Sequence, residues 1–229
     1  TRTFNARYDQ LSETDALGRT NTWTYDDKHN KLTETNHLGQ MTSYSYDSNG
    51  KLLTETDHTG RIVSNNRYDS SGQLTELKNA AGQTTSMSYG SSGLTGLTDV
   101  AGHTTSYVYT GDNLTETTDP TGRKTRYSYD ANKRKLSETV IYTDGSEMER
   151  QLQTRFEYDT KGRLVKQIDA DGGISTKTYG TADEVLSETD RFGNTTTYQY
   201  DANKKLIQTT YADGTSSKTV YDAEEQVLQ

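Results

Sequence analysis

The sequence contains no cysteine and only one proline in 229 residues. Without cysteine the chain has no disulfide framework, and thiolate catalysis and cysteine-ligated metal sites are excluded. Disordered segments are commonly enriched in proline, so its scarcity argues against disorder.

Large apolar residues are also scarce, since hydrophobic residues make up 28% of the chain and the mean hydropathy is −1.02. A chain of this composition cannot bury a thick core. It does contain 17 tyrosine and about 40 threonine residues, which favour the surface of a pleated strand. We therefore expect a single-layer sheet that is stabilised by neighbouring strands more than by a packed second layer.

Clustered positive charge and long apolar runs are missing as well. The net charge is −8, and no basic run is longer than Lys133-Arg134-Lys135, so we expect no nucleic-acid partner. No stretch approaches the roughly 20 apolar residues of a membrane-spanning helix, and the first residues lack the apolar segment of a signal peptide. We expect no membrane insertion, and we expect the chain to be a fragment of a longer protein that carries its targeting signals elsewhere.

Tyrosine recurs with a nearly fixed spacing along the whole chain. Most successive intervals are 20 to 22 residues, which is typical of a repeat architecture in which each unit contacts mainly its neighbours. Residues 1–229 are therefore predicted to form one array of about ten repeats of roughly 21 residues. The recurring residues are Tyr8, Tyr25, Tyr46, Tyr68, Tyr89, Tyr109, Tyr129, Tyr158, Tyr179, Tyr200 and Tyr221.

Two sets of turns separate the extended segments of each repeat. The first set has Asp or Asn first and Gly fourth, as in Asp57-His58-Thr59-Gly60, a pattern that favours a type I turn. The second set follows the tyrosine, as in Asp47-Ser48-Asn49-Gly50. In its looser copies we expect Asn132 and Asn203 to adopt positive φ. The residues that define the repeat are Tyr25, Asp26, Tyr46, Asp47, Gly50, Gly60, Tyr68, Asp69, Gly72, Tyr129, Asp130, Tyr158, Asp159, Gly162, Tyr200 and Asp201.

Period-two alternation between these turns predicts strands throughout, with no helix. The interval from Tyr8 to Tyr25 is four residues short, as if the turn after Tyr8 were trimmed. Residues 139–157 predict a hairpin with longer arms that extends past the sheet margin, either as a partner contact or as a tolerated insertion. The Asp213-Gly214 pair predicts a tight two-residue hairpin.

Repeated acidic residues are the most regular charged feature. Two interpretations are open: an acidic stripe that binds cations or a basic partner, and a solvated row with Thr, Arg and Lys neighbours. A one-residue shift in the register would turn a copy to the other face of the sheet. A carboxylate repeated so often does not have the distinct environment of a catalytic pair. The residues are Glu13, Glu34, Glu55, Glu76, Glu116, Glu138 and Glu188.

No other motif predicts chemistry. The four histidines, His29, His37, His58 and His103, lie in or beside predicted turns and form no metal signature. No serine has an identifiable histidine partner. We predict no catalytic residues, no cofactor and no metal, and therefore no enzyme.

The unit Tyr-Asp-x-x-Gly-x-Leu, then four residues, then Asp-x-x-Gly, resembles the YD repeat of Rhs proteins. The resemblance is most complete from Tyr46 to Tyr68 and from Tyr158 to Tyr179, whereas Tyr89, Tyr109 and Tyr179 are not followed by Asp. Similar repeats occur in teneurins and in the C components of insecticidal toxin complexes. The resemblance implies an all-β strip of tandem antiparallel hairpins that curves or spirals as a single layer into a shell.

In bacterial members of this family the shell encloses a toxic C-terminal domain and the repeats are not catalytic. The resemblance thus implies a structural segment of a secreted or cell-surface bacterial protein, with the shell and cargo of the same polypeptide as partners. The self-cleaving core region and the toxin are not expected in this chain, which would be one arc of the wall. The alternative is a module that binds glycans or another cell surface through exposed tyrosine rows. Unpaired strand edges also predict edge-to-edge self-association or a polar, bulged terminal strand.

Overall fold

The computed structural model describes residues 1–145, 148–222, 224 and 226–228. It contains two compact units, Thr1–Tyr107 and Val108–Gln229, and the boundary between them falls within the eleventh strand. The described residues include no helix, and the strand pairs among them are antiparallel, so the all-β prediction is confirmed. The described residues also contain no helical segment long and apolar enough to cross a membrane.

The first eleven strands follow one another in chain order. They are β1 (Arg2–Phe4), β2 (Gln10–Thr14), β3 (Thr20–Tyr25), β4 (Lys31–Thr35), β5 (Met41–Tyr46), β6 (Leu52–Thr56), β7 (Ile62–Tyr68), β8 (Leu74–Asn79), β9 (Thr84–Gly90), β10 (Gly93–Thr98) and β11 (Thr104–Thr110).

The second unit continues with ten strands. They are β12 (Asn113–Thr118), β13 (Lys124–Tyr129), β14 (Lys135–Thr143), β15 (Glu149–Tyr158), β16 (Leu164–Ile168), β17 (Ile174–Tyr179), β18 (Val185–Thr189), β19 (Thr195–Tyr200), β20 (Leu206–Thr210) and β21 (Ser216–Lys218). Within each unit every strand pairs with the next strand in sequence, so the sheet grows by the addition of hairpins.

Each tyrosine-ended hairpin contains the same β-bulge. In the hairpin of β5 and β6, Tyr46 lies opposite Leu52 while Ser45 lies opposite Thr54, so Leu53 is the extra residue. The same shift occurs one residue before the tyrosine in the hairpins that begin with β3, β13, β15, β17 and β19. A bulge of this kind increases the local right-handed twist, and here it recurs with the period of the sequence.

The sheet has almost no buried interior. Among the described residues only Ile141, at 7% exposure, and Asn66, at 8%, are buried. The chain exposes 14939 Å², compared with about 10,400 Å² for a compact protein of its mass by the usual scaling. Backbone pairing and contacts along the sheet surface therefore carry most of the stability, as the composition predicts.

The turns of both sets that begin with Asp or Asn have one geometry. The amide of the fourth residue donates to the carbonyl of the first, and the amide of the first donates to the carbonyl of the fifth, as in Gly50 to Asp47 and Asp47 to Lys51. The fourth residue has positive φ, and this combination is a type I turn followed by a bulge residue. The type I prediction is confirmed. The expectation for Asn132 and Asn203 is wrong, because Lys133 (φ 63°) and Lys204 (φ 67°) occupy the fourth position instead.

Tyr8 was predicted to close a strand, and this prediction is wrong. Its φ is 66° and its amide donates to the carbonyl of Asn5, so Tyr8 occupies the fourth position of a turn, where its side chain is 89% exposed. Phe4 closes β1 opposite Gln10, just as Tyr25 closes β3 opposite Lys31. The interval from Phe4 to Tyr25 is 21 residues, so the first repeat has the full length.

The prediction for Asp213-Gly214 is also wrong. The amide of Gly214 donates to the carbonyl of Tyr211, and Gly214 has a φ of 84°. This turn therefore has the common geometry, with Tyr211 in the position that Asp usually occupies. Two-residue connections occur instead after Tyr89 and Tyr109, where they shorten the intervals to 20 residues.

The predicted long hairpin is present as β14 and β15. Its pairing runs without interruption from Ser137 opposite Arg155 to Thr143 opposite Glu149. Tyr142 and Thr143 extend beyond Ile141, the last β14 residue paired with β13. Ser146, at the predicted tip, lies outside the described residues, and a partner contact there stays a prediction.

Candidate functional site: the contacts that join successive hairpins

The strand-closing tyrosines join each hairpin to the one before it. In eight copies the tyrosine hydroxyl donates a hydrogen bond of 2.8 to 3.0 Å to a backbone carbonyl of the preceding repeat. The pairs are Tyr46 to Lys31, Tyr68 to Leu52, Tyr89 to Leu74, Tyr129 to Leu114, Tyr158 to Lys135, Tyr179 to Leu164, Tyr200 to Val185 and Tyr221 to Leu206. We call each such contact a tyrosine lock.

The register explains why a side chain makes this contact. Lys31 pairs with Tyr25 on one side, but the pairing of β4 with β5 covers only Thr33–Thr35. The Lys31 carbonyl thus lies where the next hairpin has diverged from β4, and the Tyr46 hydroxyl reaches it across the gap. Because a carbonyl without a partner is costly away from water, the lock replaces a missing ladder hydrogen bond.

The tyrosine rings are half-buried against the sheet. Burial raises the pKa of Tyr46, Tyr129 and Tyr200 above the ordinary tyrosine range. Basic side chains lie over several rings, and the guanidinium of Arg163, for example, is 4.6 Å from the centroid of Tyr179. In the same way, the Nζ atom of Lys51 lies over the ring of Tyr68, and that of Lys205 lies over the ring of Tyr221. At exposed sites such contacts contribute about 0.5–1 kcal/mol each.

The predicted turn aspartates hold the second turn set together. In each, Oδ1 accepts hydrogen bonds of 2.8 to 3.0 Å from the amides two and four residues ahead. These residues are Asp26, Asp47, Asp69, Asp130, Asp159 and Asp201.

Hydrogen bonding lowers the pKa of Asp26, Asp130 and Asp159. The side-chain amide of Asn30 is the main cause of the lowered pKa of Asp26. The backbone amide of Arg134 has the same effect on the pKa of Asp130. The predicted glycines Gly50, Gly60, Gly72 and Gly162 have φ between 76° and 86°, which an L-residue adopts only with strain.

The two faces of the sheet carry different side chains. Residues that pair across strands share a face, so Trp23 with Glu34 and Tyr44 with Glu55 lie on the face of the closing tyrosines. We call this the tyrosine face. The opposite face carries hydroxyl pairs such as Ser45 with Thr54, whose oxygens are 2.6 Å apart, and we call it the hydroxyl face. Further hydroxyl pairs are Thr3 with Ser12, Thr24 with Thr33, Ser128 with Ser137 and Thr178 with Ser187.

The acidic row is divided between the two faces. Glu13, Glu34, Glu55, Glu138 and Glu188 lie on the tyrosine face. Glu76 and Glu116 lie on the hydroxyl face opposite Arg67 and Arg126, because their repeats are shifted by one residue.

Most of these carboxylates have basic neighbours. Lys177 Nζ lies 2.6 Å from Glu188, and Lys135 Nζ lies 2.7 Å from Glu138. These pairs favour the solvated row with basic neighbours over a continuous acidic stripe. In the described part of the chain no three His, Cys, Asp or Glu side chains form a cluster that could hold a metal.

The sequence did not indicate the acceptors of the locks or the hydroxyl pairs. The acceptors are main-chain carbonyls of residues as different as Lys31 and Leu52, so residue type carries no signal for them. The recurrent Thr and Ser at alternate positions are a signal for the hydroxyl face, but assigning it requires the position of each bulge.

Comparison with known proteins decides the family. The sequence model of the RHS repeat matches residues 27–62, 68–104, 110–147 and 181–216, which together are more than half of the chain. The chain belongs to the RHS repeat family. No curated protein sequence matches it.

Solved structures show the fold of these RHS repeats. A crystal structure of TcdB2-TccC3 without its hypervariable C-terminal region matches 99% of this chain with a TM-score of 0.57 and 14% sequence identity. The Tc holotoxin pore of Photorhabdus luminescens matches 100% of this chain at 14% identity with a TM-score of 0.44. The RHS-repeat chain spans only 16% and 17% of the length of those chains.

Proposed function

We propose that this RHS-repeat chain is a non-catalytic segment of a shell wall that encloses a toxin or other cargo domain of the same polypeptide. The observation that carries the proposal is the tyrosine lock. In eight copies it joins a hairpin to the preceding one at the same place in the repeat, so a sheet can be extended hairpin by hairpin without a core. Such a sheet has the properties of a wall, because both faces stay free of packed layers.

The contacts at the sheet margin support the same function. Side chains of one turn of the second set reach the next such turn, as when Lys161 Nζ donates to the carbonyl of Thr181 at 2.8 Å. Arg163 reaches the carbonyl of Gly180 at 2.9 Å in the same way. These contacts and the locks connect neighbouring hairpins, whereas an active site would require an unusual environment at one repeat.

The family supports the proposed partners and location. The remainder of the same polypeptide would supply the rest of the shell and the cargo, and the protein would be secreted or displayed on a bacterial surface. The matched TccC3 structure is described as lacking a hypervariable C-terminal region, which is consistent with a shell segment of constant fold next to variable cargo.

Glycan binding is the alternative that the tyrosine rows suggested. The structure gives it no specific support, because the hydroxyls of the eight locked tyrosines already donate to backbone carbonyls. Self-association through strand edges stays a prediction. The edge strands β1 and β21 are three residues long, their residues are all exposed, and β21 is polar.

Limited proteolysis of the full-length parent protein tests the proposal. Removal of residues 1–229 from the parent should make the cargo sensitive to protease and active on its own targets. The parent with Tyr8→Phe, which alters an exposed turn residue, is the matched control and should keep its cargo protected. A cargo that stays protease-resistant and harmless after the deletion would refute a wall function.

A further inference from the structure

We infer that the tyrosine face is the side of this wall that contacts the enclosed polypeptide and that the hydroxyl face is turned to solvent. The inference rests on the proposed shell function and assigns its two surfaces.

The burial pattern distinguishes the two faces within single strands. In β3 the tyrosine-face residues Asn21, Trp23 and Tyr25 are half-buried, whereas the hydroxyl-face residues alternating with them are exposed. The same alternation occurs in β19, where Tyr198 and Tyr200 are half-buried and Thr195 and Thr197 are exposed. An antiparallel sheet with one solvated face commonly shows this alternation, with the apolar residues directed away from water.

The residue types on the two faces also support a polypeptide contact on the tyrosine face. Trp, Tyr and Met are enriched where proteins contact other polypeptides, and Ser and Thr are depleted there. The tyrosine face carries the strand aromatics Trp23, Tyr44, Tyr127, Phe156 and Tyr198 beside the closing tyrosines. The hydroxyl face of β3 and β4 carries only threonines at its paired positions, and two of these, Thr24 and Thr33, hydrogen-bond to each other at 2.6 Å.

Local depressions also occur on the tyrosine face. Four depressions of about 260 to 460 Å³ lie within the separate units. Their linings include the tyrosine-face residues Glu13 and Asn21, Tyr44 and Tyr46, Tyr142 and Leu152, and Lys177 and Glu188. Concave sites that combine apolar and polar groups can receive side chains of a bound polypeptide.

The charges indicate the chemistry of the occupant. Cations of the tyrosine face are paired with its carboxylates, for example Arg2 with Glu13 at 2.8 Å and Lys31 with Glu34 at 2.5 Å. The face is therefore close to neutral at these ion pairs. It complements a polypeptide segment with uncharged apolar and aromatic side chains and offers little to a polyanion.

Cysteine labelling tests the assignment directly, because this chain contains no cysteine of its own. Two pairs of adjacent threonines provide matched sites on opposite faces of one strand. In β9, Thr85 pairs with Leu77 on the tyrosine face and Thr84 with Lys78 on the hydroxyl face. In β19, Thr196 pairs with Glu188 on the tyrosine face and Thr197 with Ser187 on the hydroxyl face.

Each threonine is changed to cysteine in the full-length parent protein with its cargo, which is then treated with a maleimide attached to a polyethylene glycol chain too bulky to enter a closed shell. We expect Thr84→Cys and Thr197→Cys to react in the folded protein, and Thr85→Cys and Thr196→Cys to react only after denaturation. The reverse pattern, or protection of all four sites, would overturn the assignment of faces. Reaction at all four sites in the folded protein would instead overturn the shell itself.

Discussion

The tyrosine lock is predicted to contribute to the stability of each hairpin separately. In Tyr200→Phe the ring remains in place, so the substitution removes only the hydroxyl that donates to the Val185 carbonyl at 2.9 Å. A typical intramolecular hydrogen bond contributes about 0.5–1.5 kcal/mol net. The lock is half-buried and its carbonyl loses a partner, so we expect the loss to fall within this range.

Hydrogen exchange measured by mass spectrometry is the suitable assay, since repeat arrays need not unfold in two states. A loss of about 0.5–1.5 kcal/mol corresponds to exchange that is about 2- to 13-fold faster for amides that open with the hairpin. The acceleration should be confined to β18, β19 and β20. Tyr8→Phe is the control and should leave exchange unchanged, because Tyr8 is 89% exposed.

The result that would refute this reasoning is equal exchange in Tyr200→Phe and the unmodified chain. It would mean that water replaces the hydroxyl at no cost and that ring packing alone joins the hairpins. Faster exchange across the whole of the second unit would contradict the local character of the lock.

Three further predictions follow from the turns and the tyrosines. Lys204 has a φ of 67°, so Lys204→Gly should relieve backbone strain and stabilise the β19–β20 hairpin by about 1 kcal/mol. Ala202→Gly in the same turn is the control and should not stabilise it. Slower hydrogen exchange of the hairpin amides in Lys204→Gly than in the unmodified chain checks this prediction. Asp119 accepts hydrogen bonds from the hydroxyl and amide of Thr121, and the hydroxyl is the main cause of its lowered pKa. The stability that this carboxylate contributes is present above its unfolded pKa of about 3.9 and is lost as the pH falls through the lowered pKa. Asp119→Asn should therefore flatten the acid limb of a stability curve, and Asp119→Ala should lower the stability at neutral pH. Burial raises the pKa of Tyr129. The stability that the neutral tyrosine contributes should therefore be fully present below about pH 10 and be lost as the pH rises through the raised pKa. An absorbance titration of tyrosinate should show a late-ionising group whose ionisation coincides with loss of sheet structure.

The turns and strands could be predicted because their determinants are local. An Asp or Asn that bonds the amides ahead of it, and a fourth residue that accepts positive φ, define the same turn in both sets. The strand-closing tyrosines follow from this spacing, since five residues separate Tyr46 from its partner Leu52 in the regular hairpin.

The wrong predictions concern positions where the residue type is not the one that usually occupies that place in the turn or strand. Tyr8 is followed by Asp9 and so carries the sequence signal of a strand end, but the hydrogen bonds of Asn5 place it in the turn. Phe4 holds the strand-closing position without the tyrosine signal. At Lys133, hydrogen bonding and strand register impose a positive φ on a residue that does not favour it, which intrinsic preference cannot anticipate.

The candidate site was predicted only in part. The sequence indicated which tyrosines matter, but the lock depends on where β4 and β5 diverge, and this is a property of paired strands. The faces of Glu76 and Glu116 likewise depend on single-residue shifts that reverse the direction of a side chain.

The central claim is that each hairpin is held by its neighbours and not by a common core. Deletion of residues 201–229, which removes β20 and β21, tests it when hydrogen exchange is followed strand by strand. We expect faster exchange in β18 and β19 and protection in β12 to β16 that stays within about twofold of the intact chain, as in a nearest-neighbour array. Loss of protection throughout β12 to β19 would contradict it and would show that the unit folds around a shared interior.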